Sequence, residues 1–258
     1  MVKKGIFGNG VPYVRFGEGA KALLIFSGGP GNYLSSPMYK EYNFLGKHYT
    51  LFMLSRKSNL PKGYSTGDMA EDYAAVIRNE FNGGPIDVIG ESYGGLIAQY
   101  LAANHPELIQ RLVIYMSAYR FSPEGANLDL RFAQLASQGK TRAAFKSLAH
   151  MLTGNRVKKC LLSFFMSFYG PRLLNNSNPE DLVVEGEAEV RHNSKKQLSK
   201  ITAPTLVVGG DRDYFCPEKL LRETAAGIHN ANLIICEGKG HESLGRSFRK
   251  DVLAFLIS

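Results

Sequence analysis

Five consecutive residues, Gly90-Glu91-Ser92-Tyr93-Gly94, carry the strongest chemical signal in the chain. They follow the pattern G-x-S-x-G, with an apolar run (Pro85 to Gly90) before them and helical character from Gly94 to about Asn104 after them. A serine on so sharp a strand-to-helix turn takes a strained backbone conformation that only small neighbours tolerate. Its hydroxyl then stands at a helix N-terminus, where the dipole favours a developing anion. A serine hydroxyl is a weak nucleophile and requires a base. Of six histidines, only His241 lies just past a late strand in a glycine-rich turn, Gly238-Lys239-Gly240-His241. The imidazole in turn requires a carboxylate to orient it. Asp213 is the expected partner, with Asp211 as its rival; Asp211 sits nearer a strand end and suits a turn-closing role. The order Ser92, Asp213, His241 is the one this elbow geometry demands. The loop Ser27-Gly28-Gly29-Pro30-Gly31 follows an early apolar run, where a glycine N–H can face a tetrahedral intermediate. The other donor is the N–H of Tyr93. A dinucleotide cradle is set aside because G-x-G-x-x-G is absent and Pro30 interrupts the loop.

The elements that must position these residues follow from the apolar periodicity. The first twenty residues read as a hairpin around Gly8-Asn9-Gly10. Buried strands are expected at Ala22–Phe26, Tyr49–Leu54, Pro85–Gly90, Arg111–Tyr115, Thr205–Val208 and Leu233–Cys236. Helices are expected at Asp68–Phe81, Gly94–Asn104, Glu218–Ala226 and near the C-terminus. This alternation implies a parallel sheet covered on both faces. Residues from about 119 to 200 break the rhythm. They show helical stretches (Leu128–Ala136, Arg142–Leu152, Val157–Tyr169), and Asn175 to Pro179 reads as loop chemistry. The segment is therefore expected to be a helical cap at 119–198, inserted into a core made of 1–118 and 199–258.

Composition fits a globular chain of 258 residues: 44% apolar, 21% charged, with a net charge of +8. A disordered chain and a disulfide-stapled miniprotein are excluded. The longest apolar run, Cys160 to Tyr169, is too short to span a bilayer, which needs about 20 residues, and the N-terminus has no signal-type apolar region. A cytoplasmic protein without stable membrane insertion is expected. Cys160, Cys216 and Cys236 lie far apart without metal-type spacing, so neither metal nor cofactor is expected. The charge is uneven. Residues 119–200 hold 13 basic and 7 acidic side chains, a net of +6. No nucleic-acid motif accompanies it, so no nucleic-acid partner is expected. Steering of anionic substrates by the cap is a narrower reading, set against a plain solvated face.

Taken together, the elbow, the glycine-rich loop and the ordered acid and base resemble the α/β-hydrolase family over nearly the whole chain. The resemblance implies an eight-stranded, mostly parallel sheet with a cap inserted after the sixth strand. It also implies hydrolysis through an acyl-enzyme: Ser92 attacks, His241 takes the proton, Asp213 holds the ring, and the N–H groups of Gly29 and Tyr93 bind the oxyanion. The substrate is a small molecule, an ester or an amide. A carboxylic ester comes first, with Phe164, Phe165 and Phe168 of the apolar run lining an acyl pocket. An aminopeptidase comes second, because Gly28-Gly29-Pro30-Gly31 is similar to the loop of the proline iminopeptidase group. The chain departs from that group at Ser27, where the group has histidine, and at Tyr93, where it often has tryptophan. The acidic residues Glu180, Asp181, Glu185, Glu187 and Glu189 are read as a solvated face in preference to an amine site. Carbon–carbon hydrolase, haloperoxidase and non-catalytic readings rank lower, and a dehalogenase would need aspartate at position 92.

Overall fold

The computed structural model describes residues 2–29, 31, 34, 36–148, 163–168, 170, 178–241 and 245–258. The apolar runs become strands: β1 Lys3–Ile6, β2 Pro12–Phe16, β3 Lys21–Phe26, β4 Tyr49–Leu54, β5 Ile86–Glu91, β6 Ile109–Tyr115, β7 Thr205–Gly210 and β8 Ala231–Cys236. They form one sheet in the order β1-β2-β4-β3-β5-β6-β7-β8. β2 runs antiparallel to both β1 and β4, and the remaining pairings are parallel. The helices are α1 Ser36–Lys40, α2 Thr66–Glu80, α3 Tyr93–Asn104, α4 Pro123–Ser137, α5 Thr141–Leu148, α6 at 163–168, α7 Pro179–Arg191, α8 Glu218–Gly227 and α9 Gly245–Ile257.

The pleat sends alternate side chains of β3 to opposite faces. Leu24 and Phe26 enter a core shared with α2, α3 and α8, while Leu23 and Ile25 enter a second core closed by Phe248, Val252 and Leu256 of α9. Burial on both faces is why the central strands read as continuous apolar runs and not as alternating ones. α2 begins two residues before the expected Asp68 because Ser65 caps it. The Ser65 side chain accepts from the Asp68 N–H, and the Asp68 carboxylate accepts from the Ser65 N–H.

Helices α4 to α7 all fall between β6 and β7. Phe132 of α4, Phe145 of α5 and Leu182 of α7 form a third core, and Val184 and Ala188 of α7 also join the core beneath the sheet. Of the expected helix at 157–169, residues 163–168 are helical and the rest lie outside the described residues, as do residues 149–152.

Two expectations for this segment are corrected. Of the stretch read as loop chemistry, residues 175–177 lie outside the described residues, Asn178 is the extended N-cap whose side chain accepts from the Glu180 N–H, and Pro179 already stands in the first turn of α7. The acidic residues are not simply a solvated face. Asp181, Glu185 and Glu189 are 2%, 1% and 3% exposed, and only Glu180 among the five is fully on the surface. Their spacing of four puts them on one stripe of α7, the stripe turned toward the sheet.

Candidate active site

Ser92 sits between β5 and α3 with φ 50° and ψ −115°. Its N–H donates to the Tyr115 carbonyl at 2.8 Å, which fixes the turn against β6. A Cβ at Gly94 would stand 2.1 Å from the Phe26 carbonyl oxygen, so the helix can approach β3 this closely only with glycine there. The loops after β7 and β8 bring the other two groups. They are tied together by the Arg212 N–H donating to the Lys239 carbonyl at 2.8 Å. Ser92 Oγ lies 2.8 Å from His241 Nε2, and His241 Nδ1 lies 2.8 Å from Asp213 Oδ2. The other carboxylate oxygen, Asp213 Oδ1, accepts from the N–H groups of Phe215 and Cys216 at 2.8 and 2.9 Å. Asp211, the rival, makes no such contact; its Oδ1 has no hydrogen-bond partner among the described residues. The rings of Phe215 and Phe121 stand 4.7 and 6.3 Å from the imidazole. Burial works against the charged imidazole, yet the Asp213 hydrogen bond and charge, followed by Asp129 and Glu91, raise the His241 pKa above its ordinary 6.5.

The glycine-rich loop lies against the nucleophile. A Cβ on Gly28 would come 3.0 Å from Ser92 Cβ. Gly29 has φ +72°, a left-handed conformation that glycine adopts without cost. Pro30 lies outside the described residues. Phe164, Phe165 and Phe168, the expected pocket residues, are 59%, 54% and 52% exposed. Phe164 packs on the other two, and the Arg142 guanidinium covers the Phe168 ring at 5.3 Å.

Arg56 and Asp129 carry no expectation from the sequence, and Glu185 and Glu189 only that of a solvated acidic cluster. Arg56, just past β4, is buried and paired with Glu185 at 3.0 Å. Burial opposes its charge, but Glu185 more than compensates and holds the guanidinium pKa above its usual value. Asp129 of α4 and Glu189 of α7 stand close enough for their charges to interact, and Asp129 also senses His241. Burial, and for Glu189 the neighbouring Asp129, pushes both carboxyls well above their ordinary range. Glu189 Oε1 has no partner among the described residues. Glu91, directly before the nucleophile, is pushed up to about 7 by burial against a bond from the Tyr42 hydroxyl at 2.8 Å. The available signals were a charged residue directly after a buried strand (Arg56) and the four-residue spacing of acids on α7. Among the described residues, no group of His, Cys, Asp and Glu is arranged to hold a metal ion.

A parallel sheet whose central strand ends in a strained serine, with a histidine and an aspartate delivered by its last two strands, defines the alpha/beta hydrolase class. The model of the alpha/beta hydrolase fold family matches residues 21–245, and the chain belongs to that family. It is 28% identical over 245 residues to the proline iminopeptidase PfmaB of Pestalotiopsis fici, covering 87% of this chain and 86% of that one. It is 26% identical over 175 residues to the pimeloyl-[acyl-carrier protein] methyl ester esterase of Neisseria meningitidis, covering 61% of this chain and 62% of that one. The enol-lactonase of Burkholderia xenovorans LB400 shares the fold, with a TM-score of 0.78 at 20% identity over 96% of each chain. Among the described residues no helix is long and apolar enough to cross a membrane.

Proposed function

We propose that the protein is a serine hydrolase that cleaves carboxylic esters through an acyl-enzyme. The observation that carries this reading is the unbroken line from Ser92 Oγ through His241 to Asp213, with 2.8 Å at each step. Asp213 Oδ1 is occupied by two backbone donors, which leaves Oδ2 to accept from Nδ1–H and makes Nε2 the proton acceptor. Ser92 Oγ adds to the ester carbonyl as its proton passes to Nε2. The N–H groups of Gly29 and Tyr93 receive the oxyanion. The tetrahedral adduct collapses, and the proton on Nε2 leaves with the alcohol. Water then adds to the acyl-serine with His241 again as base, releasing the acid and restoring Ser92. The helices between β6 and β7 act as a cap over this site; Phe164, Phe165 and Phe168 are surface rings packed on one another and Arg142 and carry no acyl-contact role here.

A second reading has its own support. The Asp129 carboxyl interacts electrostatically with His241, and Glu189 with Asp129, which suits an acyl donor with a free amine, and one relative is named a proline iminopeptidase. Turnover of p-nitrophenyl acyl esters against aminoacyl-arylamides separates the two. Ester turnover is expected; turnover of arylamides alone would replace the first reading with the second. Ser92→Ala should lower kcat by a factor of about 10⁴ to 10⁶. A smaller loss, measured in folded protein, would remove Ser92 as nucleophile.

A further inference from the structure

Arg56 follows the end of β4 and lies beneath the glycine-rich loop, 1% exposed. Its Nη1 donates to the Ser27 carbonyl at 2.9 Å and to Ser27 Oγ at 3.3 Å. Its Nη2 donates to the carbonyls of Gly29 and Gly31, each at 2.6 Å. Nε and Nη2 reach the two oxygens of Glu185 at 3.2 and 3.0 Å. Glu185 Oε2 also accepts from the Gly31 N–H at 2.8 Å. The alternate carbonyls 27, 29 and 31 are thus committed to one side of the loop, and the Gly28–Gly29 peptide between them is anchored at both ends. The second arm leads to the same pair. The guanidinium lies 5.0 Å from the centre of the Tyr93 ring, and the Tyr93 hydroxyl donates to the Glu185 carbonyl at 3.0 Å.

We propose that the buried Arg56–Glu185 pair is the positioning element of the oxyanion hole, holding Gly29 and Tyr93 in register from behind. The proposal deepens the hydrolase reading above and rests on it. Donors stabilise a developing oxyanion only when they are fixed where the charge will appear. The planar fork of arginine ties three carbonyls and a carboxylate at once, whereas lysine supplies one point charge without that geometry. Arg56 belongs to the sheet and Glu185 to the helical insertion, so the seating of α7 is transmitted to the loop.

The test uses the full chain with Arg56→Lys, Glu185→Asp and Tyr93→Phe. Arg56→Lys and Glu185→Asp keep the charge pair and change its geometry. Tyr93→Phe cuts only the hydroxyl tie and is the mildest change, so a readout remains if the charged variants fail to fold. Active sites are counted by fluorophosphonate labelling, so that kcat refers to competent Ser92 and not to total protein. For a p-nitrophenyl ester, Arg56→Lys and Glu185→Asp should lower kcat by about 10- to 100-fold, below the 10²–10³ of losing a donor outright. KM should stay within about threefold, and Tyr93→Phe should lose less. A trifluoromethyl ketone, which forms the tetrahedral adduct, should weaken in parallel with kcat/KM. The acid limb of the pH profile should not move. Wild-type kcat per labelled site with only a lowered Tm would overturn the proposal and leave a structural ion pair. Wild-type protein that neither labels nor turns over ester would sink the hydrolase reading, and the proposal with it.

Discussion

Ser92 combines a side chain suited to chemistry with a backbone suited to glycine. Its φ of 50° and ψ of −115° lie where residues with a Cβ are strained, typically by about 1–3 kcal/mol. Ser92→Gly should therefore be more stable than Ser92→Ala by about 1 kcal/mol in urea unfolding. Equal midpoints would show that the elbow stores no strain. The imidazole is tuned by its neighbours. Burial disfavours its charge, Asp213 outweighs burial, and Asp129 and Glu91 add to the rise. The reaction needs the neutral ring, so the acid limb of kcat/KM should lie above the ordinary histidine value of 6.5. Asp129, itself raised to about 7 by burial, favours the imidazolium when ionised, so Asp129→Asn should move the limb to lower pH. A limb that stays put or rises would break the link between Asp129 and His241. Glu91, at about 7, titrates in the same window. The limb therefore belongs to interacting groups, not to His241 alone.

At the scale of elements, α7 does more than its composition suggested. His192 closes its C-terminus with Nδ1 2.7 Å from Thr66 Oγ1 of α2, and burial lowers its pKa from 6.5 to about 3. The unfolded chain takes up a proton at this ring below 6.5, while the folded chain resists until about 3. Folding stability is thus lost as pH falls through that interval, by up to about 1.4 kcal/mol per pH unit. His192→Gln should flatten the decline of stability between pH 6 and 4; an unchanged slope would assign acid sensitivity to other groups. α7 also carries contacts that no local pattern in the sequence reveals. Ser92, Asp213 and His241 stand in local settings that spacing reveals, each just past a strand, and the strands themselves are apolar runs bounded by glycine and proline. Arg56 and Glu185 are 129 residues apart, and nothing local to either predicts the other. The acids of α7 form a charged cluster by composition, and only their spacing of four reveals a single stripe that can be buried. A carboxylate that is costly to bury alone is stable there once a guanidinium and backbone donors meet it.

For the whole molecule, the net charge of +8 takes on a direction. In the helical insertion the described Lys140, Arg142, Lys146, Lys196 and Lys200 are exposed, whereas Asp181, Glu185 and Glu189 are buried. These basic side chains lie on the surface and none is among the groups beside His241, which argues against anion capture at the triad. An ester with a carboxylate on its acyl chain should show kcat/KM at least about tenfold below its neutral isostere at low salt, a difference of about 1.4 kcal/mol. Faster turnover of the anionic ester would restore steering by the basic surface. The order of parts along the chain has a further consequence, for the molecule's biogenesis. Ser92 and His241 are 149 residues apart, and the histidine follows the last strand of the sheet. A ribosome adding roughly 5–20 residues per second takes on the order of ten seconds to cross that interval. On the proposed hydrolase mechanism, the elbow serine has no proton acceptor throughout it. The nascent chain carries an unarmed hydroxyl, harmless to the acyl groups around it, and arming coincides with closure of the sheet's far edge.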